Sequence, residues 1–264
     1  MLVIGERING MFNDVGKAIR EKDKPVIQKL AQDQVAAGAG MLDINVGPAV
    51  SDAKEAMKWL VETVQEVVNV SLALDSTKPD VIEEGLKIVT RKAMINSTTA
   101  SEEKLAVLLP MAKKYQASLI GLTMGKSGIP RDRHQRSEFA AQIITAAMAA
   151  GIGVEDLYLD PIILPVNVAQ SQAGEVLESI REFRLFSNPS PRTVVGLSNI
   201  SQGTENRSLI NRVYLVMAAA MGLDAAIVDP LDKELMDAVI TADLLLNKHI
   251  YCASYLDAGR KNKF

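Results

Sequence analysis

The chain has 264 residues, 48% hydrophobic and 23% charged, with a formal net charge of −3 at pH 7. That length gives one large domain or two small ones with a sizeable core, and the charge offers no basic footprint for nucleic acid. One cysteine, Cys252, excludes an intramolecular disulfide, and with only two histidines, His134 and His249, a zinc or iron–sulfur centre built by this chain is not expected.

Taken in order, the first apolar run is LVIGE over 2–6, read as a strand, with a helix over 25–38. MLDINV over 41–46 predicts a second strand, and Ser51 stands where an N-cap belongs for a helix over 52–68. VSLALD (70–75) and a helix over 79–89 follow, then KAMIN (92–96) and a helix over 101–115 capped by Ser101. ASLIGLT (117–123) is the fifth strand. After it, GKSG at 125–128 lacks the upstream glycine of a phosphate-binding loop and reads as a plain loop. His134 falls in the same connection, before a helix over 137–150 that Gly151 ends. DLYLDPII (156–163), a helix over 174–186, TVVGLSN (193–199), a helix over 207–221 ended by Gly222, DAAIVD (224–229) and a helix over 232–248, with Cys252 just beyond it, complete the chain.

Strands alternating with helices imply a parallel sheet. Eight such units in this length predict a (β/α)₈ TIM barrel forming a single domain over 1–264. No secretory signal pattern and no membrane-length apolar run is read in the sequence, so a cytoplasmic protein with no membrane or nucleic-acid partner is expected. The four Asn-x-Ser/Thr matches at Asn69, Asn96, Asn199 and Asn206 are then incidental.

In such a barrel the active site forms at the C-terminal ends of the strands. Those ends read Glu6-Arg7-Ile8-Asn9, Asp43-Ile44-Asn45, Asp75-Ser76-Thr77, Asn96-Ser97-Thr98, Thr123-Met124, Asp160-Pro161, Ser198-Asn199 and Asp229-Pro230. Taken singly, many of these are ordinary helix caps. As a set they put carboxylates and amides, without a run of Lys or Arg, around one opening. A partly buried carboxylate needs a donor, and a ligand rich in N–H groups supplies one.

The strings ERINGM (6–11), AGMLDINVG (39–47), ALDST (73–77), MINSTT (94–99), DLYLDPIILP (156–165) and VVGLSNIS (194–201) resemble the pterin-binding barrel superfamily. That group includes dihydropteroate synthases and the methyltetrahydrofolate-binding modules of corrinoid-dependent methyltransferases. The resemblance covers essentially the whole chain and is closest to the methyltetrahydrofolate:corrinoid/iron–sulfur protein methyltransferases. It implies transfer of the methyl group of 5-methyltetrahydrofolate to the Cob(I) centre of a corrinoid/iron–sulfur partner protein in the acetyl-CoA pathway. The alternatives are a dihydropteroate synthase-like pterin enzyme and a non-catalytic folate-binding protein.

By resemblance, Asp160 accepts two N–H groups of the aminopyrimidinone edge, Asn96 serves the neighbouring ring nitrogens and Asp75 accepts from a further ring N–H. Asn199 lies beside the nitrogen that carries the methyl group and is the expected catalytic residue. Gly196, Ser198, Gln202, Met11 and Arg207 complete the implied substrate-binding set, and Arg207 could contact either the folate tail or the partner. The sequence contains no nucleophile matched to a methyl on a tertiary amine, so the corrinoid is expected to arrive on another protein. The D-x-H-x-x-G pattern of corrinoid domains is approached only by Asp132-Arg133-His134 and lacks its glycine. One cysteine cannot build the thiolate zinc site of methionine synthases. Ser198-Asn199-Ile200 stands where dihydropteroate synthases carry a basic residue for pyrophosphate. Apolar residues over more than one face of VYLVMAAAMG (213–222) and ITADLLLNK (240–248), together with the resemblance, predict a homodimer.

Overall fold

The computed structural model describes residues 1–48, 50–126, 128–249 and 251. Eight strands run β1 (Leu2–Asn9), β2 (Met41–Asn45), β3 (Ser71–Asp75), β4 (Met94–Thr99), β5 (Ser118–Leu122), β6 (Leu157–Asp160), β7 (Arg192–Gly196) and β8 (Ala225–Val228). They close into a barrel in sequence order, each parallel to its neighbours, with β8 pairing back to β1. Around them lie α1 (Asn13–Glu21), α2 (Lys24–Ala36), α3 (Ala53–Gln65), α4 (Pro79–Leu86), α5 (Glu102–Tyr115), α6 (Arg133–Ala149), α7 (Val166–Phe183), α8 (Arg207–Ala220) and α9 (Lys233–Leu245). The TIM-barrel reading is therefore the observed fold.

Each strand is read on both faces, which explains its nearly continuous apolar run. The outward set packs against the helices: α3 alone buries Met57, Trp59, Leu60, Val61 and Val64. The inward set makes a separate cluster with one residue from every strand: Ile4, Met41, Ala73, Met94, Ile120, Tyr158, Val194 and Ala225. This apolar layer fills the barrel, as side-chain layers do in this architecture.

The elements differ from the expectations in instructive places. β1 continues to Asn9 through an irregularity between Gly5 and Ile8, so Glu6 to Asn9 belong to a strand end. Helix α1 was not expected. It has nine residues and buries only Val15, Gly16, Ala18 and Ile19, too few apolar positions to stand out. The cap of α3 is Asp52, whose carboxylate accepts from the N–H groups of Lys54 and Glu55, and not Ser51 one residue earlier. Helix α6 starts at Arg133 because Asp132 caps it through the Gln135 N–H. His134 is thus an exposed residue of the first helical turn, 3.4 Å from Glu138, and not a loop residue. β6 stops at Asp160, since Pro161 has no N–H for a ladder. α7 begins at Val166, earlier than expected, with a kink at Ala169. β7 ends at Gly196 and runs into a short 3₁₀ turn over Leu197–Ser201, so Asn199 sits on that turn and not on a strand. Gly151 and Gly222 end their helices with φ of 74° and 98°, as expected. Cys252 lies outside the described residues.

Candidate active site at the barrel mouth

Side chains on a strand alternate faces, so two residues beyond the apolar layer the next inward position is reached. Counting along β1 to β8 gives Glu6, Asp43, Asp75, Asn96, Leu122, Asp160, Gly196 and Ile227. A layer of acceptors therefore lies directly on the apolar one, at the C-terminal end. The hydrogen bonds agree with this placement. Asn96 Nδ2 donates to Asp43 Oδ1 at 2.9 Å, passing from β4 to β2 over β3, a route open only inside the barrel. Asn45 Nδ2 donates to Asp75 Oδ2 at 2.7 Å, and the Ser198 hydroxyl donates to Glu6 Oε1 at 2.6 Å.

Asp160 is held differently. The turn after β6 puts Ile162 at φ 64°, in the left-handed region that a β-branched residue disfavours. This aims its N–H back at Asp160 Oδ1, at 2.7 Å. Asp160 is 9% exposed and Asp43 is 3% exposed. Burial pushes the Asp160 carboxyl up to about 7, against the opposing effects of the Ile162 N–H and the Arg136 guanidinium. Burial and the neighbouring Asp75 charge hold Asp43 well above the carboxylate range, and burial also raises Asp75 and Glu6. No Lys or Arg side chain hydrogen-bonds to any of these four among the described residues. A site of this kind, protonatable near neutrality and rich in unmatched acceptor lone pairs, suits a neutral ring presenting paired N–H donors.

The rim carries the rest of the implied set. Gly196 occupies an inward position with no side chain, and the Asn199 amide fills that space: a Cβ at Gly196 would lie 3.2 Å from Asn199 Nδ2. Asn199 and Gln202 are exposed at the mouth. Arg207 Nε donates to Ser201 Oγ and Nη2 to the Ser198 carbonyl, both at 3.2 Å, so Arg207 braces the turn that presents Asn199. Met11, in the β1–α1 connection, is 69% exposed. Beside the acceptor layer a cleft of about 560 Å³ is lined by Glu6, Arg7, Phe12, Ser198, Arg207 and Asn211, among others. Asp43, Glu6 and Asn45 were visible at strand ends in the sequence but were not assigned to the site. Counting two residues on from the apolar layer was the signal that could have found Asp43 and Glu6.

With this geometry in view, residues 7–229 match the model of the family described as pterin binding enzyme. The chain belongs to the pterin-binding enzyme family. It is 30% identical over 268 residues to the methylcorrinoid:tetrahydrofolate methyltransferase of Eubacterium limosum, covering 100% of this chain and 97% of that protein. It is 29% identical over 244 residues to methionine synthase of Mycobacterium tuberculosis, of which it spans only 20%. Among solved structures, dihydropteroate synthase of Yersinia pestis in complex with a sulfonamide drug aligns with a TM-score of 0.72 at 20% identity, over 94% of each chain. Xanthomonas albilineans dihydropteroate synthase with 4-aminobenzoic acid gives 0.71 at 16% identity, again over 94% of each. These structural likenesses establish the shared barrel.

Proposed function

We propose that this pterin-binding enzyme moves a methyl group between N5 of tetrahydrofolate and the cobalt of a corrinoid carried by a partner protein. The observation that carries this reading is the acceptor layer of Asp75, Asn96 and Asp160 with the Asn199 amide at its rim. The full-length similarity to the Eubacterium limosum methyltransferase supports it. Asp160, ionised on binding, accepts the two N–H groups of the aminopyrimidinone edge, a charge-assisted bidentate contact. Asn96 donates to and accepts from the neighbouring ring nitrogens, and Asp75 accepts from a further ring N–H. Asn199 holds N5, where its dipole gains value as charge develops on that nitrogen. Reduced cobalt, as the second substrate, supplies the nucleophile that no side chain of the described residues offers. Gly196 leaves the space that the Asn199 amide uses, Arg207 and Ser198 steady the turn, and Gln202 and Met11 border the opening.

In the direction read from the sequence, 5-methyltetrahydrofolate donates to the Cob(I) centre of a corrinoid/iron–sulfur protein, as the acetyl-CoA pathway requires. The similarity to the Eubacterium limosum methylcorrinoid:tetrahydrofolate methyltransferase favours a second reading, in which the methylcorrinoid donates and tetrahydrofolate accepts. The pyrophosphate chemistry of a dihydropteroate synthase is disfavoured by Ser198-Asn199-Ile200 after β7. The proposed setting is a homodimer in the cytoplasm. An exposed apolar stripe on α8 (Leu209, Val213, Val216 and Met217) supports the dimer. No helix of the described residues is long and apolar enough to cross a membrane.

The test uses the purified chain with 5-methyltetrahydrofolate and reduced corrinoid, free and bound to iron–sulfur and non-iron–sulfur carrier proteins, following the cobalt absorbance. The reverse arm uses methylcorrinoid and tetrahydrofolate. Methyl transfer in at least one arm is expected. Folate binding without transfer in any arm sinks the enzymatic reading, and absence of folate binding sinks both.

A further inference from the structure

Arg136 is 0% exposed, the largest fully buried side chain among the described residues. It sits one turn into α6, behind the β6 end. Its Nε donates to the carbonyl of Pro161 at 2.6 Å, while Nη1 and Nη2 have no hydrogen-bond partner among the described residues. A buried guanidinium without a paired carboxylate is costly. The charged and titratable groups around it are Glu175 from α7, Tyr214 from α8, Asp132 at the cap of its own helix and Asp160 at the end of β6. None of these hydrogen-bonds to it: Tyr214 donates to the Ala173 carbonyl, Glu175 accepts from the Arg133 N–H, and Asp132 accepts from the Gln135 N–H. The Asp160 carboxylate accepts from the Ile162 N–H.

The bond to Pro161 gives the arrangement its meaning. Pro161 joins Asp160 to Ile162, the residue held at φ 64°. A left-handed β-branched residue persists only where its surroundings hold it. Arg136 grips the carbonyl in the middle of that turn and places a positive charge behind the carboxylate that the turn orients.

We propose that Arg136 is a positioning residue for pterin recognition, fixing the Asp160-Pro161-Ile162 turn and keeping Asp160 in the ionised form that accepts the ligand's two N–H groups. This rests on the reading of Asp160 as the pterin acceptor given above. Burial alone favours the protonated carboxyl, which would present a donor where an acceptor is needed. A cation within Coulombic reach acts in the opposite sense. The same residue thus sets both the direction of the Asp160 lone pairs and the pH at which they are available.

The experiment is equilibrium titration of the full chain with 5-methyltetrahydrofolate from mildly acidic to alkaline pH, for the wild type and four variants. Arg136→Gln and Arg136→Met each remove the charge, one keeping a donor and one filling the space with an apolar chain, so failure of one to fold leaves the other. Arg136→Lys keeps the charge. Asp160→Asn removes the ionisation. For the wild type, affinity should fall on acidification as Asp160 protonates. In the Gln and Met variants that fall should be displaced upward by roughly one pH unit, about fivefold weaker binding at pH 7, approaching about tenfold at lower pH and recovering at alkaline pH. The Lys variant should keep the wild-type midpoint, and Asp160→Asn should bind weakly with no such midpoint. A loss in the Gln and Met variants that is the same at every pH, or no loss, overturns the role of Arg136 while leaving the Asp160 reading intact. Wild-type affinity and pH profile in Asp160→Asn overturn the pterin reading and this proposal with it.

Discussion

In the proposed reaction, Asn199 is the side chain that separates binding from rate. An amide has no proton to release near neutrality, so any catalytic effect must come from a positioned dipole that gains value as the reaction proceeds. Asn199→Ala is expected to slow methyl transfer about a hundredfold, with a smaller loss in folate affinity, Gln202 on the same rim limiting the damage. Stopped-flow transfer and equilibrium binding on the same variant separate the two, and equal losses would reduce Asn199 to a holding role. Asp160 should behave in the opposite way. Asp160→Ala is expected to weaken folate binding by about 1.5–3 kcal/mol, the scale of a lost charge-assisted contact, while thermal unfolding shows the barrel intact. At Gly10 the constraint is purely spatial. The β1–α1 turn passes so close to the β2–α3 turn that a Cβ at Gly10 would lie 2.3 Å from the Val46 carbonyl oxygen, with Gly47, at φ 72°, against the same backbone. Gly10→Ala should destabilise the fold by roughly 1–3 kcal/mol, read by denaturant unfolding. An unchanged midpoint would show that the turns can separate.

At the scale of elements, the strands were legible because a strand buried on both faces leaves an uninterrupted apolar run. Their ends were less legible. Pro161 cuts β6 short although the sequence stays apolar through Ile162, Ile163 and Leu164, and Gly196 releases β7 into a 3₁₀ turn that opens on another apolar residue, Leu197. Helix α1 is inconspicuous in the sequence because its buried face consists of one valine, one isoleucine, an alanine and a glycine. The apolar excess of 213–222 resolves into two surfaces. Tyr214, Leu215, Ala218 and Ala219 face the core, while Leu209, Val213, Val216 and Met217 stay exposed at helical spacing. A stripe of this kind suits a second copy of the chain. Val213→Glu is expected to convert a dimer to a monomer without unfolding it. Sedimentation of a wild-type monomer at micromolar concentration would remove the premise.

Over the whole molecule, the position of the candidate site was legible while its internal wiring was not. Asp75, Asn96 and Asp160 could be named because each directly follows an apolar strand. The Asn96–Asp43 bond could not, because it joins residues 53 apart in the sequence across a closed sheet. The cost of that wiring should appear in stability. The Asp160 carboxyl titrates near 7 in the folded chain but near its ordinary 3.8 when unfolded, so between those values the native state holds more protons. Stability is therefore favoured below this window and lost as pH rises through it. Asp43 and Asp75 shift in the same direction. The ligand-free protein should melt at a lower temperature as pH is raised from about 5 to about 8, and Asp160→Asn should flatten part of that fall. A melting temperature that climbs across the same range would contradict the raised carboxyls. Folate, if it binds ionised Asp160, should restore most stability at the upper end.

The apolar layer of Ile4, Met41, Ala73, Met94, Ile120, Tyr158, Val194 and Ala225 closes the barrel beneath the acceptors. A vessel sealed at its base has one door. In the proposed reaction, folate enters and leaves through the same opening that a corrinoid carrier has to cover for cobalt to reach N5. The two substrates then cannot load in either order: the small one goes first, and the large one closes over it. Excess carrier should trap empty enzyme. At low folate, initial rates should rise and then fall as carrier concentration increases, and the fall should disappear when folate saturates. Rates that climb to a plateau at every folate concentration would mean that folate slips in beside a docked carrier.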